Sequence, residues 1–172
     1  MVKIRSSLGP LKHWEIDRAG NVWCSLDDEY IAPIRITGKK KLYRQVQLNA
    51  NGTLKWFYVH RIMALSWLPR PNHPKLRIVD HKDGNSLNNN IENLRWVTVR
   101  ANNINKKCFG CIFDEGMYTP RIMGYCHHRF ASADKAEAQQ TRDLLAECYV
   151  RYLIKFPGAK VGSIPHFNIT KY

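Results

Sequence analysis

Residues 79–105 read VDHKDGNSLNNNIENLRWVTVRANNIN, and the order of residue types along them decides the fold. A β-prone lead-in at 77–81 runs into an Asn- and Gly-rich loop at 83–93. A second β-prone run at 94–98 and a helix-compatible tail at 99–106 follow, so the pattern is strand, loop, strand, helix. Asp80 and His81 close the first strand, Asn93 stands just before the second, and Asn102 lies one turn into the helix.

These side chains suit cleavage of a phosphodiester. The bond is an anion attacked by water, so its hydrolysis needs a base for the water and a cation for the charge that builds on phosphate and leaving oxygen. An imidazole titrates near neutral pH, which makes His81 the candidate base. Asp80 and the amide oxygen of Asn102 are hard oxygen donors of the kind Mg²⁺ takes, with waters and substrate phosphate as its other ligands. Adjacent strand residues face opposite ways, so Asp80 and His81 can serve one site only where the strand ends and twists into the loop. The break at Gly84 agrees with that placement. Any one of these residues alone is ordinary turn chemistry; the ordered set is not.

At these residues the chain resembles the HNH nucleases, specifically the phage and intron homing endonucleases that carry a ββα-metal fold. The matching residues are Asp80-His81 with the Asp-Gly-Asn that follows, Asn-Leu-Arg-Trp-Val-Thr at 93–98, and Asn102. The resemblance implies that His81 activates water and that Asp80 and Asn102 hold one divalent ion, Mg²⁺ or Mn²⁺. It also implies that Asn93 ties the loop so that His81 stays oriented, and Arg95 is counted among the DNA-contacting residues.

Composition bounds the rest. A chain of 172 residues, 44% hydrophobic, can bury a core and suits one or two small domains. The longest apolar runs, such as 62–68, are far too short to span a bilayer, and the N-terminus MVKIRSSLGP has no apolar signal core. The expectation is a protein that stays in the cytoplasm of the cell that makes it, the host cell if a phage encodes it. Lys and Arg number 27 against 14 Asp and Glu, a net +13 spread over the whole length. Such a surplus exceeds what solubility needs and points to a partner of high negative charge density, most commonly nucleic acid; with the nuclease resemblance, the expected partner is double-stranded DNA. No obligate protein partner is expected. Five cysteines, an odd number, are unlike a secreted disulfide framework and read as reduced thiols.

Residues 1–58 form a strand-rich segment. Residues 14–17 and 22–24 flank an Ala-Gly-Asn turn, and 43–48 and 54–59 flank Asn51-Gly52, a strong hairpin signal. Between the hairpins lie Lys39, Lys40 and Lys41, which read as phosphate contacts. The segment loosely resembles the strand-rich leader before the nuclease core of many homing endonucleases. In the next stretch Ile62, Leu65 and Trp67 or Leu68 are spaced for one helical face, and Pro69 ends the helix. His60 falls in a Val-His-Arg that the family also carries; with base and ligand roles filled, it reads as a packing or hydrogen-bonding histidine. Residues 70–74 read as a connector.

The nuclease core is expected over 59–107 and a second unit over 108–158. Runs at 109–112, 119–123 and 125–130 read as three strands with turns at 114–116 and 124, and 132–154 reads as one helix capped by Ser132 and stopped by Pro157-Gly158. Ala133, Ala136, Leu144, Leu145, Cys148 and Leu153 are assigned to its packed faces. This unit resembles the ethylene-response-factor type of DNA-binding domain. The resemblance rests on Phe109-Gly110-Cys111, on Tyr-Thr-Pro-Arg-Ile at 118–122 and on Phe-Ala-Ser-Ala-Asp-Lys-Ala at 130–136. It implies a sheet laid in the major groove, with Arg121, His128 and Arg129 as candidate contacts.

Cys108 and Cys111 with Cys126, His127 and His128 have zinc-ligand spacing, but no second matched pair exists and the resemblance puts Cys111 where a strand Val normally stands, so zinc is not expected. Residues 159–172 read as a C-terminal arm. The expected architecture is α+β: antiparallel hairpins, a ββα-metal nuclease core, then a small three-stranded sheet packed on one helix. The expected activity is metal-dependent endonucleolytic cleavage of double-stranded DNA. The rivals are a non-catalytic DNA-binding regulator on the same scaffold and a zinc-stabilised regulator.

Overall fold

The computed structural model describes residues 2–3, 11, 13–24, 27–39, 42–105, 111–122 and 125–159. The fold is α+β, built from small sheets and few helices. The chain divides into two compact units, Met1–Asn72 with Val79–Trp96, and His73–Ile78 with Val97–Tyr172.

In the first unit, strands β1 (Val2–Lys3), β2 (Trp14–Ile16), β3 (Val22–Cys24) and β4 (Asp27–Ile31) form one antiparallel sheet in sequence order. The turn between β2 and β3 is closed by Asp17, whose carboxylate accepts from the Asn21 backbone and side-chain amides, each at 2.9 Å. A second sheet orders β5 (Ile34–Thr37), β6 (Tyr43–Ala50) and β7 (Thr53–Tyr58). Asn51 and Gly52 both take positive φ, 55° and 77°, which is the two-residue geometry that matches strand twist and sets the Ala50↔Thr53 register.

Helix α1 (Val59–Trp67) follows directly. It stops because Pro69 excludes the helical conformation at Leu68, which is extended at φ −83°, ψ 146°. Its buried row is Val59, Ile62, Met63 and Ser66, at i, i+3, i+4 and i+7. The row is rotated from the expected Ile62, Leu65, Trp67 face, because Val59 and the small Ser66 also turn inward. Val22, Val46, Leu48, Val79, Ile91 and Leu94 share this core.

The second unit holds α2 (Val99–Ile104), strands β10 (Cys111–Asp114), β11 (Met117–Ile122) and β12 (Tyr125–Cys126), and α3 (Lys135–Lys155). β10, β11 and β12 are antiparallel neighbours. Helix α3 packs Leu145, Tyr149, Val150 and Leu153 with Ile122 of β11 and Ala101 and Ile104 of α2. The start and packed faces of α3 differ from expectation: it begins at Lys135, and Ala133 and Ala136 are exposed. Its cap is Asp134, which accepts from the Glu137 backbone at 2.8 Å, while Ser132 instead receives the Asp134 N–H and donates to Glu137. Leu144 is 53% exposed; the position on the buried stripe belongs to Arg142, whose Nη2 donates to the Ile104 carbonyl at 3.2 Å. Among the described residues no helix is long and apolar enough to cross a membrane.

Gly20 tests the packing of the first unit. It sits at φ 87°, and a Cβ there would come within 3.0 Å of Val59 Cγ1, whereas Gly52 at φ 77° has no atom within 4 Å. Left-handed backbone alone should cost Gly52→Ala about 1–2 kcal/mol. Gly20→Ala should lose at least ~1 kcal/mol more, because α1 must also yield. Urea unfolding of the two variants checks this, and equal losses would show that Val59 moves aside freely.

Candidate active site

Strands β8 (Ile78–His81) and β9 (Leu94–Val97) pair as a two-stranded sheet, and the loop between them is built from side-chain amides. An Asn amide offers a donor and an acceptor, so it can stand in for the ladder that a loop lacks. Asp83 is the hub. Its carboxylate accepts from the Asn85 backbone at 2.8 Å, from Asn88 at 2.8 Å and from Asn93 at 3.0 Å. Its own N–H donates to Asn93 Oδ1 at 3.0 Å. Asn93 Nδ2 also reaches the Asn88 carbonyl at 2.8 Å, and the Lys82 N–H meets the Asn93 carbonyl at 2.8 Å. Burial by itself would raise the Asp83 carboxyl, but the donors from Asn88, Asn85 and Asn93 and the nearby His81 together hold it below its ordinary value. Buried Ser86 fixes the loop onto the β5–β7 sheet by donating to the carbonyl of Leu42, just before β6.

Asp80 and His81 are 6% and 5% exposed. His81 ends β8, and the chain turns at once, with the Gly84 N–H on the His81 carbonyl at 2.9 Å and Gly84 at φ 72°. Asp80 Oδ2 accepts from Arg95 Nε at 3.0 Å. Arg95, expected on DNA, thus faces the carboxylate with a side chain only 10% exposed. His81 Nε2 lies 3.2 Å from Asn89 Oδ1, while Asn89 Nδ2 donates to the Leu87 carbonyl at 3.4 Å. That second bond fixes which end of the amide faces the ring. An amide oxygen only accepts, so in this arrangement the His81 ring donates from Nε2.

Asn89 was not singled out from the sequence. Asn93 organises the loop, and Asn89, 3% exposed, touches the imidazole itself. The only sequence signal is a run of three identical amides, Asn88, Asn89 and Asn90, of which the outer two are exposed.

An aromatic wall backs His81. His60 lies 5.2 Å from it between ring centroids and Tyr43 6.5 Å; His60 packs in turn on Tyr43 at 5.4 Å and Tyr58 at 5.5 Å. His60 is 8% exposed, and its Nδ1 finds no hydrogen-bond partner among the described residues. Burial, then His81 and Arg61, push its pKa down to about 3, so the ring is neutral near pH 7.

Asn102 is half-buried on α2 in the second unit, its N–H on the Thr98 carbonyl at 3.0 Å, while the Thr98 hydroxyl caps the helix at Ala101. Lys39 is exposed between β5 and β6; Lys40 and Lys41 lie outside the described residues. Arg121 is exposed on β11 opposite Cys126. His128 and Arg129 are exposed in a 3-10 turn over His128–Phe130, with the Arg129 guanidinium 4.5 Å over the Phe130 ring. Of the cysteines with zinc-ligand spacing, Cys108 lies outside the described residues, and burial raises the Cys111 thiol.

Neutral His60 makes stability depend on acid. The folded ring titrates near 3 and an unfolded one near 6.5, so acid protonates the unfolded chain first. The contribution is complete above about pH 6.5 and declines toward pH 3, by up to ~1.4 kcal/mol per unit. Urea unfolding at a series of pH values should show this decline in the wild type and a shallower one in His60→Phe. Equal slopes would remove His60 as its source.

Residues 57–104 match the HNH endonuclease family. Over 63 residues the chain is 43% identical to an uncharacterized HNH endonuclease of Acanthamoeba polyphaga mimivirus, covering 37% of this chain and 18% of that protein. Over 100 residues it is 31% identical to the DNA endonuclease I-HmuI of Bacillus phage SP01, covering 58% of this chain and 55% of that one. A solved structure, described as DNA binding and cleavage by the HNH homing endonuclease I-HmuI, aligns with a TM-score of 0.46 at 34% identity over 54% of this chain and 51% of its own. The chain thus spans about half of the phage enzyme's length and less of the mimivirus protein's. Asp80, His81, Asn89, Asn93 and Asn102 all fall within the matched span, and over residues 57–104 the chain carries an HNH endonuclease domain.

Proposed function

We propose that the protein is a divalent-metal-dependent endonuclease, of the homing type, that hydrolyses phosphodiester bonds in double-stranded DNA in the cytoplasm of the cell that makes it. The observation that carries this reading is the bond between His81 Nε2 and Asn89 Oδ1, which orients the imidazole at the end of β8, next to Asp80 in the chain. His81 Nδ1 removes a proton from water, the water oxygen bonds to phosphorus, and the leaving oxygen departs with the electrons of the broken P–O bond. The ring becomes positive while Nε2–H stays on Asn89. Asp83, a carboxylate held in its charged form two residues along the loop, favours that charge electrostatically.

The donor chemistry fits a hard ion: Asp80 supplies a carboxylate and Asn102 an amide oxygen, and we assign both as ligands of Mg²⁺ or Mn²⁺. Arg95 is assigned to hold the Asp80 carboxylate in place. Asn102 is included on its order in the chain, one turn into the helix after β9. When bound, the ion supplies positive charge against that developing on the phosphate.

DNA contacts are assigned to Lys39, Lys40 and Lys41 and, on the second unit, to Arg121, His128 and Arg129. Supporting this are the net charge of +13 and the exposure of Lys39, Arg121, His128 and Arg129. On the β5–β7 sheet Arg35 is instead engaged within the protein, its guanidinium 4.0 Å over the Trp56 ring and its Nε on Gln45 Oε1 at 2.9 Å. The three-stranded sheet against α3 is read as a DNA-binding module of the ethylene-response-factor kind.

Supercoiled DNA incubated with Mg²⁺ should give nicked or linear product, and EDTA should abolish it; intact DNA under both conditions refutes the reading. His81→Ala should lower the cleavage rate roughly 10²- to 10⁴-fold with DNA affinity nearly unchanged. Asp80→Ala and Asn102→Ala should raise the Mg²⁺ concentration needed for half-maximal rate. Normal cutting by both at limiting Mg²⁺ would reject the ligand assignment.

A further inference from the structure

The second unit contains an open cleft of about 650 Å³ that none of the roles above uses. Three distant parts of the chain converge on it: residues 74–77, the start of α2, and the end of α3 with the turn after it. Its cations are Lys75, Arg77 and Arg100, and among the described residues no Asp or Glu lines it. Lys75 and Arg77 are exposed, so their charges are presented rather than neutralised. Arg100 is half-buried, and its Nη1 donates to the Ala159 carbonyl at 3.1 Å, which holds the guanidinium in one orientation and leaves further N–H groups for an anion. Pro74, Val99 and Leu153 add an apolar lining.

A concave surface with three cations, no acid and an apolar lining matches a sugar-phosphate backbone, whose anionic oxygens alternate with apolar deoxyribose edges. We propose that this cleft binds the phosphodiester backbone of duplex DNA through Lys75, Arg77 and Arg100; the inference rests on the DNA reading above. Arg77 directly precedes β8, the strand that carries Asp80 and His81, so a backbone contact here is linked to the catalytic hairpin through continuous chain. The cleft would position DNA without reading its sequence, because phosphate contacts carry register and not base identity.

The test is the salt dependence of duplex affinity, measured on full-length protein in the His81→Ala background without Mg²⁺. Each phosphate neutralised contributes about 0.9 to the slope of log K against log salt. Changing Lys75, Arg77 and Arg100 together to Gln should therefore flatten the slope by roughly 2–3 and weaken all duplex sequences alike. The Lys75→Gln/Arg77→Gln double variant leaves the Arg100–Ala159 bond untouched and should still flatten it by roughly 2, and Lys75→Arg/Arg77→Lys should restore it. An unchanged slope in a double variant with wild-type circular dichroism overturns the proposal. Titration with inorganic phosphate separates the sources of the anion: if the variants lose phosphate binding but keep the duplex slope, the cleft takes a free anion and the DNA proposal is wrong. Failure of the DNA reading itself looks different, since wild-type protein would then neither bind duplex nor cut supercoiled DNA.

Discussion

The paired hydrogen bonds between Asp83 and Asn93 hold the candidate active site in shape. Asp83 N–H donates to Asn93 Oδ1 and Asn93 Nδ2 donates to Asp83 Oδ1, both at 3.0 Å, closing the loop at its base. A loop of this length would otherwise sample many conformations, and closing it costs entropy. Each bond to a charged carboxylate contributes about 1.5–3 kcal/mol, so several converging on Asp83 offset part of that cost. With the base closed, Asn88 is drawn to Asp83 and Asn89 is carried to His81. The orientation of the His81 imidazole, proposed above as the general base, thus comes from Asn89 directly on the ring and from the amide network around Asp83 behind it.

Electrostatics around His81 follow a similar division of labour. The buried Asp80–Arg95 pair gives weak net stability, since desolvation consumes much of the attraction, but it fixes the carboxylate in one orientation. The neighbouring His60 could have been a liability, because a second cation beside the ring proposed to accept a proton would oppose that step. Burial removes the liability by keeping His60 neutral, at the cost of acid sensitivity in the fold. Tyr43 and Tyr58 complete an apolar wall, so the wall contributes shape without charge.

The strand-loop-strand-helix order was legible because its boundaries have local causes, Gly84 at a positive φ and the Thr98 hydroxyl on the α2 backbone, and the end of α1 was legible from Pro69 acting on Leu68. The Asn51-Gly52 hairpin was legible for a similar reason, since few residues tolerate φ of 55° and 77° in succession. The partner of His81 was not. Asn88, Asn89 and Asn90 are chemically identical, and only the path of the closed loop decides which one is buried. The cap of α3 was missed because Ser132 and Asp134 are both good caps two residues apart, and the bond to Glu137 selects the second. Residues 70–74 were read as a connector by composition, yet Pro74 and its neighbour Lys75 line a cleft whose other walls lie more than twenty residues away in sequence.

The net charge of +13 gave the earliest pointer to DNA, yet it is not a count of phosphate contacts. Several of the cations that make it up are engaged within the protein. Arg142 is buried on α3 with Nη2 on the Ile104 carbonyl, Arg95 holds Asp80, and Arg151 pairs with Glu147 at 3.0 Å. Arg35 and Arg18 lie over Trp56 and Trp67. Buried or stacked guanidinium groups still raise the field that steers a polyanion toward the surface, because that field sums over all charges. They release few counterions on binding, however, because they do not replace them at the phosphates. Attraction at a distance and contact at the backbone therefore draw on different subsets of the same residues, and the contacts proposed above fall chiefly on exposed cations such as Lys39, Arg121 and the Lys75–Arg77 rim of the cleft.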